Sequence, residues 1–274
     1  LGLALHNYHD VYNSFPPGYI REHTASSANW SNTHDAWGWA AFLLPYIEQT
    51  ALYNSLNVGI GFPPDVVDNP GNLAAAQTQL TIFRCPSDIG PNLYPNEADT
   101  TYLREVALSN YVASMRSAQA MGSQGTVGFM TSNDPKRGGF FANSHVKIRD
   151  IIDGTSNTIA IGERVYQYPG NAGTPVYAAA WIGCGRADKE TRCARQLFFA
   201  PEKPINGGGR SNTTLSSVHA GGVQVTLFDG SVRFVSENID HHIDASVVPG
   251  SDDPVDSTLE YLIAIADGSV VGEF

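Results

Sequence analysis

VQVTLFDGSVRFVS, residues 223–236, is the stretch that decides the fold. Val223, Val225 and Leu227 alternate with Gln224, Thr226 and Phe228, the period of two at which a strand sends side chains to opposite faces. Asp229-Gly230 follows, a pair suited to the positive φ angles of a tight turn, and Val232 and Phe234 continue the pattern on a return strand. A β-hairpin is expected here. Asp267-Gly268-Ser269-Val270 echoes part of it near the end of the chain, and turn chemistry alone accounts for the echo.

Working outward, short β-prone runs separated by Gly, Asn and Asp extend back to about Tyr111, as in an antiparallel sheet. The first part of the chain has a different texture. LGLALHNYHDVY, residues 1–12, places Leu1, Leu5, Tyr8 and Tyr12 on one helical stripe, and SFPPG at 14–18 stops the helix. A second helix is expected after Pro45, with Leu44, Ile47, Ala51 and Leu52 inward, and a third over 72–83. Arg21–Asp35 and Gly59–Gly71 read as loops. Helices first and strands later give an α+β class. The expectation is a single domain over 1–274, helical over about 1–84 and β-rich over about 109–274, with large loop-rich insertions.

Composition removes several function classes. Hydrophobic residues are 42% of the chain and charged residues 16%, too apolar a balance for disorder. With 16 basic against 27 acidic residues the net charge is −11, which repels phosphate backbones and argues against a nucleic-acid partner. No run approaches the ~20 apolar residues of a membrane span, and no basic leader precedes an apolar core. Because the chain opens at Leu1 inside a helical pattern, it reads as a processed or truncated form whose membrane-associating start lies upstream.

Candidate sites are scattered. Cys184 and Cys193 suit a disulfide in an oxidising compartment, leaving Cys85 over; this cysteine spacing does not supply a zinc ligand set. Asp153, Thr155 and Asn157 form an oxygen-rich run suited to calcium, or to turns that satisfy their own backbone. Trp30, Trp37 and Trp181 are candidates for stacking on sugar rings, against packing beneath long loops. His6, His9 and Asp10 share a helical neighbourhood, as His241, His242 and Asp244 share a strand end, yet no HExxH pattern is present. The G-x-S-x-G elbow of hydrolases is absent too, so no catalytic residue and no obligatory cofactor is expected.

Several segments together resemble one family: LGLALHNYHDVYNSFPPG at 1–18, LLPYIEQTALYNSLN at 43–57, FRCPSD at 83–88, SNYVAS at 109–114, DGTSNTIAIGE at 153–163 and SSVHAGGVQVTLFDGSVRFVSENID at 216–240. In the last, nine residues separate His219 from Asp229-Gly230. This is similar to the H-X9-DG signature of the prepilin-type, processing-associated proteins abundant in planctomycete bacteria, the DUF1559 family. The resemblance runs essentially end to end, although Ala220 stands where the family often has proline. It implies a pilin-like fold, an N-terminal helix packed on an antiparallel sheet, and an upstream apolar helix behind a cleavable basic leader. It also implies a non-catalytic pseudopilin-like protein of the cell envelope, periplasmic or on the bacterial surface. Such a protein would serve a type II secretion-like or surface-fibre assembly, with other pilin-like subunits or itself as partners. An extracellular polysaccharide- or solute-binding module, with calcium as an optional aid, is the alternative. His219, Asp229 and Gly230 are the motif residues: Asp229-Gly230 for the turn, His219 to fix the start of the strand by hydrogen bonding, or for metal or recognition.

Overall fold

The computed structural model describes residues 1–20, 36–59, 70–94, 105–116, 136–167, 178–184, 190–207, 213–242, 255–269, 271–272 and 274. Helix α1 spans Gly2–Tyr12 and ends at Asn13, whose left-handed φ of 52° turns its N–H back to the His9 carbonyl. Ala4, Leu5 and Tyr8 are buried, while Leu3, Val11 and Tyr12 are exposed. Tyr12 therefore falls outside the buried stripe expected of it. Strand β1 (Ala36–Trp37) and helix α2 (Trp39–Phe42) follow. The helix expected after Pro45 arrives as two pieces, a 3-10 turn at Leu44–Ile47 and α3 at Thr50–Leu56. Glu48, at φ 63°, separates them. The helix expected over 72–83 likewise divides into α4 (Pro70–Ala76) and a 3-10 turn at Thr81–Phe83.

Strands dominate the remainder: β2 (Leu93–Tyr94), β3 (Val106–Ser109), β4 (Tyr111–Ser114), β5 (Ile159–Glu163), β6 (Ala179–Ala180) and β7 (Gly183–Cys184). Helix α5 (Glu190–Leu197), β8 (Phe198–Phe199), β9 (Gly222–Leu227), β10 (Val232–Ser236) and α6 (Thr258–Tyr261) complete the described elements. The five-stranded sheet runs β10-β9-β5-β4-β8, antiparallel except where β4 meets β8. Two smaller antiparallel sheets pair β1 with β7 and order β2-β3-β6. The molecule is thus mixed α/β, with largely antiparallel sheets and few helices. Since β1 pairs with β7 and α5 lies among the strands, the helical and β-rich parts interleave.

Apolar residues separate into two clusters. One gathers α1, Trp39, Phe83, Phe140, Phe198 and Phe228. The other joins Val112, Ile159, Val223, Val225 and Leu227 to Leu262 and Ile263. Strand β9 contributes to the second cluster, and Phe228, at its end, enters the first and is fully buried. β10 is the sheet edge, with Val235 alone of its residues buried. The Cys184–Cys193 disulfide, with Cα atoms 4.9 Å apart, ties β7 to α5. No described helix is long and apolar enough to cross a membrane.

Candidate functional site

The β9–β10 hairpin presents the H-X9-DG residues at opposite ends. At the turn, Gly230 N donates to the Leu227 carbonyl at 3.0 Å and Leu227 N to the Ser231 carbonyl at 2.9 Å. Gly230 alone takes positive φ, at 85°, so the connection is a three-residue loop with a bulge and not a two-residue turn. Asp229 contributes its carboxylate: Oδ1 accepts from Ser231 N at 2.8 Å and from Ser231 Oγ at 2.6 Å. Asp229 N donates to the Thr155 carbonyl, anchoring the turn to the loop ahead of β5.

This turn receives α1. A Cβ on Gly2 would stand 2.5 Å from the Gly230 carbonyl oxygen, so two backbones meet where only glycine fits. The His6 ring covers Gly230 and meets Phe15 edge-on, with centroids 6.2 Å apart. Phe15 packs at 4.9 Å on Phe228, which stacks at 5.7 Å on Phe140.

His219 belongs to the other end. Its N–H donates to Ser217 Oγ at 3.0 Å, and Ser217 Oγ donates to the Gly222 carbonyl at 2.6 Å, holding the loop that leads into β9. Its ring Nε2 lies 3.4 Å from Glu163 Oε1 and 3.7 Å from Cys85 Sγ. Glu163 ends β5 and is 4% exposed; its second oxygen accepts from Gln224 N at 2.8 Å, which fixes the carboxylate. Cys85 is buried just after the 3-10 turn at Thr81–Phe83, and its N–H donates to Asn110 Oδ1 at 3.1 Å.

Asn110 is the hub beneath this cluster. Its N–H donates to the Phe83 carbonyl at 2.8 Å, and Nδ2 donates to the Arg164 carbonyl at 3.1 Å and to the Asp88 carboxylate. Asp88 also accepts from Tyr166 N. Arg164, fully buried, spreads its guanidinium over the carbonyls of Ala178, Phe198 and Arg195. These hydrogen bonds satisfy groups that would otherwise be costly to bury. Between Cys85, Asp88, Asn110, Glu163 and Val218 remains a cavity of about 10 Å³, room for one water-sized body.

Burial, first, pushes the Cys85 thiol up, and the Glu163 and Asp88 carboxylates add to this against main-chain hydrogen bonds at Ser87 and Asp88. A reactive thiolate requires the opposite surroundings. Burial, then Glu163 and Cys85, likewise push the neighbouring Tyr111 phenol up to about 12. Moreover, thiol and carboxylate converge on the same ring nitrogen of His219, whereas a nucleophile–base–orienter relay uses one nitrogen for each.

The other sequence candidates lie elsewhere. Asp153 accepts from Asp267 N and Gly268 N, each at 2.9 Å, Thr155 offers its carbonyl to Asp229, and Asn157 Nδ2 reaches the Asp153 carbonyl at 3.4 Å. That run latches the C-terminal segment through the Asp153 carboxylate, which accepts from two main-chain amides. Trp37 and Trp181 are at most 1% exposed, so neither stacks on a sugar; Trp37 pairs with Gly183 of β7, and Trp181 Nε1 donates to the Thr78 carbonyl at 3.2 Å. Trp30 and Asp244 lie outside the described residues. His6 is in the α1 packing, His9 Nε2 faces Ile148 N at 3.4 Å, and His241 Nε2 lies 2.8 Å from the Pro201 carbonyl. Among the described residues these histidines form no common metal-holding group.

Sequence reasoning passed over Cys85 and Glu163 as site residues. A signal was present, though: FRCPSD brings Cys85 and Asp88, SNYVAS brings Asn110, DGTSNTIAIGE brings Glu163, and the hairpin segment brings His219. A second, larger cleft of about 260 Å³ is lined by Arg137, His145, Lys147, Arg149 and Asp150. Among known proteins, a family model described as "Protein of unknown function (DUF1559)" matches residues 1–242. No curated protein and no solved structure matches the chain.

Proposed function

The chain belongs to the DUF1559 family, and from that premise we propose that it is a non-catalytic, pseudopilin-like subunit of a secretion-like or surface-fibre assembly in the bacterial cell envelope. The observation that carries this reading is the seating of α1. One side of the helix is clamped on the Gly230 turn, while Leu3, Val11 and Tyr12 stay 75%, 64% and 56% exposed. Apolar side chains left outward on a rigidly held helix suit packing against a neighbouring pilin-like subunit. The Cys184–Cys193 disulfide suits an oxidising envelope compartment. The raised thiol and the single-nitrogen convergence at His219 support a role without nucleophilic chemistry.

A Leu3→Asp/Val11→Asp variant tests it, because exposed substitutions of this kind shift stability by only about 0.5 kcal/mol. In producing cells the full-length variant should be lost from high-mass envelope complexes while the purified chain melts as the parent does. Undiminished assembly would rule the reading out. The 260 Å³ cleft favours one further reading, capture of an acidic polysaccharide, since Arg137, Lys147 and Arg149 gather there on a chain of net charge −11. Salt-sensitive binding of acidic but not neutral polysaccharide, lost in Lys147→Glu, is its expected result.

A further inference from the structure

Independently of the assembly reading, we propose that Cys85, Glu163 and His219 bind one transition-metal ion, zinc by the chemistry of the donors, with water in the remaining position. Cys85 Sγ, Glu163 Oε1 and His219 Nε2 come from three remote segments, and one ligand atom from each lies within 4.8 Å of the others. The separations of the other two donors from the His219 nitrogen are those a tetrahedral ion requires. Bonds of about 2.3 Å to sulfur and 2.0–2.2 Å to nitrogen and oxygen, opened at the tetrahedral angle, set sulfur and nitrogen about 3.6 Å apart and nitrogen and oxygen about 3.4 Å apart. The observed separations are 3.7 Å and 3.4 Å. A hydrogen-bonded thiol–imidazole–carboxylate relay would not bring both neighbours to one nitrogen. An ion sitting between three donors does.

The supports of each ligand agree. Glu163 keeps Oε1 toward His219 because Oε2 is held by Gln224 N. Cys85 is placed by its amide bond to Asn110, and the His219 loop by Ser217. Outer partners of this kind are what orient metal ligands in established sites. Asp88 lines the cavity, but Asn110 and Tyr166 hold its carboxylate, so it positions Asn110 and leaves the fourth place to water. Among common ions, one thiolate, one imidazole and one carboxylate favour zinc over calcium or magnesium, which take oxygen ligands. The site also gives Cys85 a use: it is the free cysteine in a chain whose other two are joined.

The test is a competition titration of the full chain, freed of metal by a chelator, with zinc and then cobalt. We expect one zinc per chain and a cobalt adduct with a thiolate-to-cobalt charge-transfer band. Cys85→Ser, Glu163→Gln and His219→Ala should each weaken zinc binding by more than the roughly 10–100-fold that loss of a supporting partner costs. Cys85→Ser should abolish the charge-transfer band. Alkylation of Cys85 by iodoacetamide in the unaltered chain, which needs no variant to fold, should slow at least tenfold with zinc. Affinity no better than millimolar, a stoichiometry that persists in Cys85→Ser and His219→Ala, or alkylation indifferent to zinc would overturn the proposal.

Discussion

The two ends of the β9–β10 hairpin solve different problems with different means. At the Gly230 end the work is done by backbone: two glycines, Gly2 and Gly230, let α1 approach closer than any side chain permits. At the His219 end the work is done by side chains, with Glu163 and Cys85 brought to one imidazole nitrogen over a hydrogen-bonded floor. A pattern of twelve positions, from His219 to Gly230, thus fixes a helix at one end and a polar cluster at the other. The lesson is that a motif can be shared by two tasks that do not touch.

Perturbing each end should separate them. Phe228→Ala removes a fully buried ring that links the turn to Phe15 and Phe140, and should cost about 3–5 kcal/mol in urea unfolding. A loss under 1 kcal/mol would mean that α1 is not held through this ring. Asn110→Ala strips partners from the Cys85 amide, the Arg164 carbonyl and the Asp88 carboxylate, and should cost about 2 kcal/mol. Its mark is local: hydrogen exchange should accelerate around Cys85 and leave 2–12 unchanged. Gly230→Ala forces a side chain to φ 85° and should cost about 1–2 kcal/mol. Here the exchange pattern should reverse, with α1 amides accelerating and those around Cys85 steady. Equal acceleration at both ends in either variant would break the comparison.

Much of the hairpin end was legible because its signals are local. Alternation over 223–227, the Asp229-Gly230 pair and the helical stripe over 1–12 each need only neighbouring residues to be read. Even so, Phe228 is buried because it joins the first cluster, built on α1 and remote aromatics such as Phe15 and Phe140, and no window of sequence contains them all. The segment after Pro45 reads as one helix because propensity does not announce that Glu48 will turn left-handed. Trp37 and Trp181 read as available for sugars, and only contacts across the chain, β1 with β7 and the Trp181 indole with Thr78, reveal them as core.

The cluster end was nearly invisible for the same reason, taken further. Cys85 and His219 are 134 residues apart, and zinc spacing rules look for ligands a few residues apart. A cysteine count leaves Cys85 over, and Glu163 is one acidic residue among 27 Asp and Glu. What the sequence did carry was the company these residues keep, each inside a segment that marks the family.

The most direct measurement is anomalous scattering from crystals of the chain grown with zinc, recorded on both sides of the zinc absorption edge. The account predicts one strong peak about 2.0–2.3 Å from Cys85 Sγ, Glu163 Oε1 and His219 Nε2 together. A zinc peak at another site, or none between these three atoms, would contradict it.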